Sequence, residues 1–242
     1  MLNSCYRQRG ITLVELMIAG VIALIALSAA LTVYSATARH SVQQLQRSHQ
    51  HQQLSALLYL ISNDLRRAGY HAFNPAANAP GHNPFQSADN RLRIRQLDDE
   101  APASCVLLAY DLDRDGQVGI GRCGSSGCDT GTDDDNVEQF GFRLRDARLQ
   151  SRYGGQRFDC ASGNWQTLND PNIEITGLRF LLHAQCTNLA DSERDCAPEA
   201  PQLTQRAVEI HIEAQLLDKP DTAISASAWV RIRNDRLTEE SL

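Results

Sequence analysis

The hydrophobic pattern of this 242-residue chain changes character twice. From Ile11 to Ala38 almost every residue is apolar, and Glu15 is the one charged side chain among them. About 20 apolar residues in a helix cross a bilayer core, so this stretch is long enough to span. From Arg39 to Gln53 the chain turns polar, rich in Gln, Ser and His, with Val42 and Leu45 as its main apolar residues. Leu54, Leu57, Leu58, Ile61 and Leu65 then recur at helical spacing, an apolar stripe on one face. No proline falls between Ile11 and Phe73, and Ala68-Gly69 offers a stop. The pattern predicts one helix from about Thr12 to Ala68, about 85 Å long at 1.5 Å per residue.

Past Gly69 the period changes. Residues 71–90, rich in Asn, Ala, Pro and His, read as a loop. Leu92 and Ile94 alternate with arginines, Cys105–Tyr110 is a continuous apolar run, and Phe140, Phe142 and Leu144 alternate with polar residues. Ile173, Ile175, Leu178, Phe180 and Leu182 alternate imperfectly. Val208, Ile210, Ile212, Ala214 and Leu216 form a strict period-two face, Asp218-Lys219-Pro220-Asp221 makes a turn, and Ala226, Ala228, Val230 and Ile232 return. That is an antiparallel hairpin with one buried face. A long helix followed by antiparallel strands predicts an α+β fold, the helix packed on a β-sheet head. The expected organisation is a leader at 1–10, a membrane half of the helix at 11–38, an amphipathic half at 39–69 and a β-rich head at 70–242.

Charge and cysteines sharpen this picture. Net charge is −6 with no basic stripe, which argues against nucleic-acid binding. Arg7 and Arg9 precede the apolar run and only Arg39 closely follows it, so the positive-inside tendency keeps the N-terminus cytoplasmic and exports the remainder. Cys5 lies before the apolar run; Cys105, Cys123, Cys128, Cys160, Cys186 and Cys196 lie after it. An exported domain with an even number of cysteines reads as disulfide-bonded, although six cysteines allow 15 connectivities. Cys123/Cys128 and Cys186/Cys196 are close enough for local staples, which leaves Cys105 with Cys160. Zinc spacing is absent.

Arg9-Gly10-Ile11-Thr12-Leu13-Val14-Glu15-Leu16-Met17 carries the most specific signal. The apolar run exceeds the 7–15 residues of an ordinary signal-peptide core. A carboxylate in hydrocarbon costs about 2.5–3.5 kcal/mol on insertion scales, so Glu15 calls for a partner. The string resembles the type IV prepilin signature: a basic leader ending in Gly, an apolar residue, then T-L-[IV]-E-L. The resemblance implies cleavage between Gly10 and Ile11 by an inner-membrane prepilin peptidase, N-methylation of Ile11, and pairing of Glu15 with the α-amine of an adjacent subunit during assembly. Major pilins carry a Gly and a Pro at positions matching Leu24 and Thr32; their absence points to a minor pilin. Leu60-Ile61-Ser62-Asn63-Asp64-Leu65-Arg66-Arg67-Ala68-Gly69-Tyr70 resembles the D-[LI]-R-x-A-G-[YF] stretch of PilW-type minor pilins and related J-type pseudopilins, and Trp229-Val230-Arg231-Ile232-Arg233-Asn234 resembles their closing strand. The resemblance implies a single-pass inner-membrane protein with a periplasmic head, partnered by other minor and major pilins and present in the pilus when assembled. A type II secretion pseudopilin and a membrane-anchored periplasmic binding module are the alternatives.

Asp111, Asp113 and Asp115, followed by Gly116, have the D-x-D-x-D-G spacing of calcium loops, but position twelve is Arg122 rather than Glu. Asp133, Asp134 and Asp135 could complete a different shell, and an acidic turn needs no ion. No nucleophile elbow or P-loop occurs, so no enzymatic activity and no cofactor beyond that calcium candidate is expected.

Overall fold

A computed structural model describes residues 10–72, 82–119, 137–155, 157–191, 193–197 and 200–238, and the backbone alone at 123–124 and 127–128. The chain divides into two compact units, Met1–His49 and Gln50–Leu242. One helix, α1 (Leu13–Arg67), contributes to both.

In the first unit every large apolar side chain from Ile11 to Tyr34 is between 56% and 74% exposed. A helix that is apolar all round and open all round belongs in lipid or among other helices. Its hydroxyls turn back on the helix: Ser28 donates to the Ile25 carbonyl, Thr32 to Ala29, Ser35 to Thr32 and Thr37 to Val33. Those bonds leave few unsatisfied polar groups in an apolar surround.

In the second unit the leucine stripe does what its spacing predicts. Leu54, Leu57, Leu58, Ile61 and Leu65 join one core with residues of two sheets. Burying each such side chain stabilises by about 1.5–3 kcal/mol before entropy is counted. The first sheet has the order β1 (Arg93–Arg95), β2 (Cys105–Ala109), β5 (Gln139–Arg145), β6 (Arg148–Gly154), β7 (Asn164–Thr167). The second is built on β9 (Gln202–Leu216), which pairs β8 (Ile173–Asn188), β10 (Lys219–Arg231) and β11 (Arg236–Thr238). A two-residue ladder, β3 (Cys123–Gly124) with β4 (Gly127–Cys128), stands apart, and every pairing among the described residues is antiparallel.

Particular sequence features explain particular strands. β2 reads as an unbroken apolar run because both its faces are covered. Val106 and Leu108 face the main core, while Cys105 and Leu107 face a smaller one with Cys160, Leu97, Phe158 and Trp165. The imperfect alternation of β8 is a bulge: its register against β9 shifts between Ile175 and Gly177. The β9–β10 turn falls at Leu217-Asp218 rather than over Asp218–Asp221, because β10 already begins at Lys219 and absorbs the difference in an irregularity before Ile224. β6, β7 and β11 carry too little apolar alternation to be read from sequence, and pairing with a neighbour is what makes them strands.

Candidate assembly and processing site

Gly10 and Ile11 lie just ahead of α1, both exposed, with Ile11 at 74%. Thr12 is the helix N-cap. Its hydroxyl accepts from the Glu15 N–H at 3.3 Å, and its carbonyl accepts from Leu16 N–H. Thr-x-x-Glu is the capping-box spacing, and a carboxylate in the first turn also meets the positive end of the helix dipole. The Thr-x-x-Glu spacing is itself the sequence signal for this cap. The Glu15 carboxylate is exposed and has no hydrogen-bond or ion-pair partner among the described residues. Open apolar side chains surround it: Leu13, Val14, Leu16, Met17 and Ile18.

At the other end of α1 the two sequence segments that looked family-specific meet. Gly69 ends the helix at φ +76°, a conformation that favours glycine, and a Cβ there would sit 2.9 Å from the Gln86 side chain. The terminal carbonyls of the helix are then collected by distant residues. Arg233 N–H donates to Arg66 O, and the Asn234 carboxamide donates to both Arg67 O and Ala68 O. The Asn83 carboxamide takes Gly69 O, and the Gly69 N–H reaches Ala109 O at the end of β2. Asp64, one turn back, accepts from the Tyr110 hydroxyl at 3.1 Å while the Arg67 guanidinium lies 5.7 Å over the Tyr110 ring. Burial pushes the Asp64 carboxyl up despite that hydroxyl and Arg67. It pushes the Tyr110 phenol further up, and the neighbouring Asp64 adds to the shift. Asp64–Tyr70 and Trp229–Asn234 are thus one structural joint, fixing where the helix stops against the head.

A family model described as prepilin peptidase-dependent protein B matches residues 43–232, which include Asp64–Tyr70 and the closing strand as far as Ile232. The chain belongs to the prepilin peptidase-dependent protein B family. The prokaryotic N-terminal methylation motif matches residues 5–31, covering Gly10, Ile11 and Glu15. An uncharacterised protein of Haemophilus influenzae is 30% identical over 152 residues, covering 53% of this chain. The match takes in 63% of that relative's own length. No solved structure matches the chain. Together these place this prepilin peptidase-dependent protein among type IV pilin-like minor pilins, a structural class: an apolar helix as membrane anchor carrying a folded head.

The head of this family member is held by disulfides. Cys105 is bonded to Cys160 across 55 residues, and Cys186 to Cys196 across 10. Cys123 and Cys128 face each other in the β3–β4 register, but their side chains lie outside the described residues. Two buried arginines brace the Cys160 loop. Arg143 donates to Cys160 O and stacks 4.1 Å from the Trp165 ring, and Arg152 donates to Gly155 O and Arg157 O. Neither stands out in the sequence: Arg143 alternates with apolar residues as a solvent-facing strand position does, and Arg152 falls where no strand pattern is legible.

The acidic loop is compact. One carboxylate oxygen from each of Asp111, Asp113 and Asp115 lies within 4.8 Å of the others. The same carboxylates also hold backbone N–H groups: Asp111 accepts from those of Ala72, Arg114 and Gly116, Asp113 from Asp115, and Asp115 from Gln117. Glu138, missed from the sequence, closes the loop by accepting from Leu112 N–H at 2.7 Å and Gly119 N–H at 3.0 Å. Burial, with smaller help from Asp113 and Asp111, pushes its carboxyl up to about 7. Calcium takes six to eight oxygens, which carboxylates supply together with backbone carbonyls and water. The other candidate positions, Arg122 and Asp133–Asp135, lie outside the described residues.

Proposed function

We propose that this chain is a PilW-type minor pilin that helps initiate type IV pilus assembly from the bacterial inner membrane, its head on the periplasmic side. Prepilin peptidase cuts between Gly10 and Ile11, and the new α-amine of Ile11 is methylated. One observation carries the reading: the Glu15 carboxylate stands unpartnered in the first turn of an apolar, fully open helix, five residues from Gly10. In hydrocarbon such a group needs a cation, and the α-amine of a neighbouring pilin supplies one. The small residues Ala19, Gly20, Ala23, Ala26, Ala29 and Ala30 let adjacent helices approach closely, so packing and one polar pair drive assembly. The two disulfides, one buried at Cys105–Cys160 and one near the surface at Cys186–Cys196, suit an oxidising compartment.

Mass spectrometry of the mature chain tests processing: N-methylated Ile11 is expected, and a chain that still begins at Met1 refutes it. Glu15→Ala tests assembly. The variant should be cut normally yet be missing from sheared pili; unchanged incorporation overturns the role given to Glu15. Deleting the genes for pilus assembly, and separately those for type II secretion, tells the two machines apart by which loss strands the processed chain in the membrane.

A further inference from the structure

Among the described residues, the second sheet has an unpaired stretch of edge. Ile232 N–H bonds to Arg206 O, so even-numbered residues of β9 turn their backbone groups toward β10 and odd-numbered ones toward β8. In the register of Arg179↔His211 and Leu181↔Glu209, the odd residues of β8 past its bulge therefore pair with β9 and the even ones face outward. Phe180 fits this: its outward N–H reaches the Ala103 carbonyl at 2.9 Å, as Ile175 N–H, before the bulge, reaches Ala147. Beyond Phe180 that cover ends. Among the described residues nothing pairs with the outward N–H and C=O groups of Leu182, Ala184 and Cys186.

Residues 182–187 are exposed throughout, and Leu182, 42% exposed, continues the face that Leu178 and Phe180 bury in the core. Natural sheets blunt such edges with charges or proline. From Leu181 to Asn188 there is no proline, Asp, Glu, Lys or Arg, and His183 turns to Glu209 of the paired strand at 3.3 Å. The opposite edge, on β10, does carry them: Lys219-Pro220-Asp221 at its start and an Arg231–Asp235 ion pair at its end. The Cys186–Cys196 disulfide holds the far end of the open edge in place, so little order is lost on binding.

We propose that the outer edge of β8 from Leu182 to Cys186 is a strand-acceptor site for another polypeptide. An extended, uncharged segment adds to the sheet by backbone hydrogen bonds, with an apolar side chain placed beside Leu182. A row of backbone donors and acceptors selects a strand over a helix, a lipid or a small molecule.

The test uses the full-length chain in cells that assemble it, with photoreactive p-benzoylphenylalanine in place of Gln185. Irradiation should give an adduct that peptide mass spectrometry maps to one extended segment of a second chain. Ala184→Pro removes an outward N–H that β9 does not use, so the fold and the melting temperature should hold while the adduct falls at least tenfold. Ala184→Lys keeps every backbone group, plants a charge at the edge, and carries the same expectation. His183→Pro, which removes an N–H used by β9, should unfold the arm and serves as the control. An adduct indifferent to both Ala184 variants, one that maps to a helix, or none from a processed and folded chain overturns the proposal. Cleavage at Gly10 is read on the same samples, so the pilin reading stands or falls separately.

Discussion

Asn234 shows how much one side chain can decide. Its carboxamide donates to Ala68 O and to Arg67 O, the latter shared with the Tyr70 N–H, and no other described side chain donates to either. Asn234→Ala should lower the unfolding free energy by about 0.5–1.5 kcal/mol, the net worth of an ordinary hydrogen bond; denaturant titration of the full chain in detergent measures it. Two acidic residues should give opposite pH signatures. Glu138 is pushed up to about 7 by burial, so the folded chain binds a proton that the unfolded chain, near 4.5, has released. Stability from this residue is therefore present below pH 4.5 and is lost as pH rises to about 7. Melting temperatures recorded from pH 5 to 7.5 should fall with pH, and Glu138→Gln should flatten the slope. Asp159 goes the other way. Burial alone would raise it, but the Ser162 hydroxyl, the Ser162 and Ala161 N–H groups and Arg157 together hold it below 3.8. Its contribution is present above pH 3.8 and is lost as pH falls through its lowered value. Asp159→Asn should remove that acid-side loss.

At the scale of elements, the two described disulfides should differ in weight. Cys105–Cys160 closes 55 residues and ties β2 to the loop beyond β6, whereas Cys186–Cys196 closes 10 within one arm. Loop-closure entropy gives about 4 kcal/mol for the longer and about 3 kcal/mol for the shorter. Replacing Cys105 and Cys160 together by Ser should therefore cost more in thermal melts than replacing Cys186 and Cys196. A greater loss from the shorter bridge would contradict this ranking. The helix stripe is sensitive too. Ile61 is fully buried in the core, and Ile61→Ala should cost about 2–5 kcal/mol, a range set by how far the cavity collapses.

For the whole molecule, the division at His49/Gln50 separates two kinds of stability. Residues 50–242 hold the core, both sheets and the described disulfides, and should fold without the apolar part of α1. A chain begun near Gln50 and directed to an oxidising compartment should be soluble and melt cooperatively. Reductant should lower its melting temperature. An aggregated product would mean that the head needs the rest of its helix.

The amino-acid sequence by itself determined the apolar span, the leucine stripe, the stop at Gly69, the β9–β10 hairpin and the Gly10–Glu15 signature. Each is a local pattern, a periodicity or a fixed spacing that a few neighbouring residues fully express. Tertiary structure alone decided the rest. Asn234 became a helix cap because the closing strand ends beside residues some 167 positions away. Arg143 and Arg152 were drawn inward by backbone carbonyls of a loop that no strand pattern announces. Glu138 acquired its task from amides on the far side of an acidic turn. β6 and β7 became strands through partners rather than through their own alternation. The physical reason is common to all of these: a buried polar group is fixed by whatever satisfies it, and that partner is chosen by the fold rather than by its neighbours in the chain.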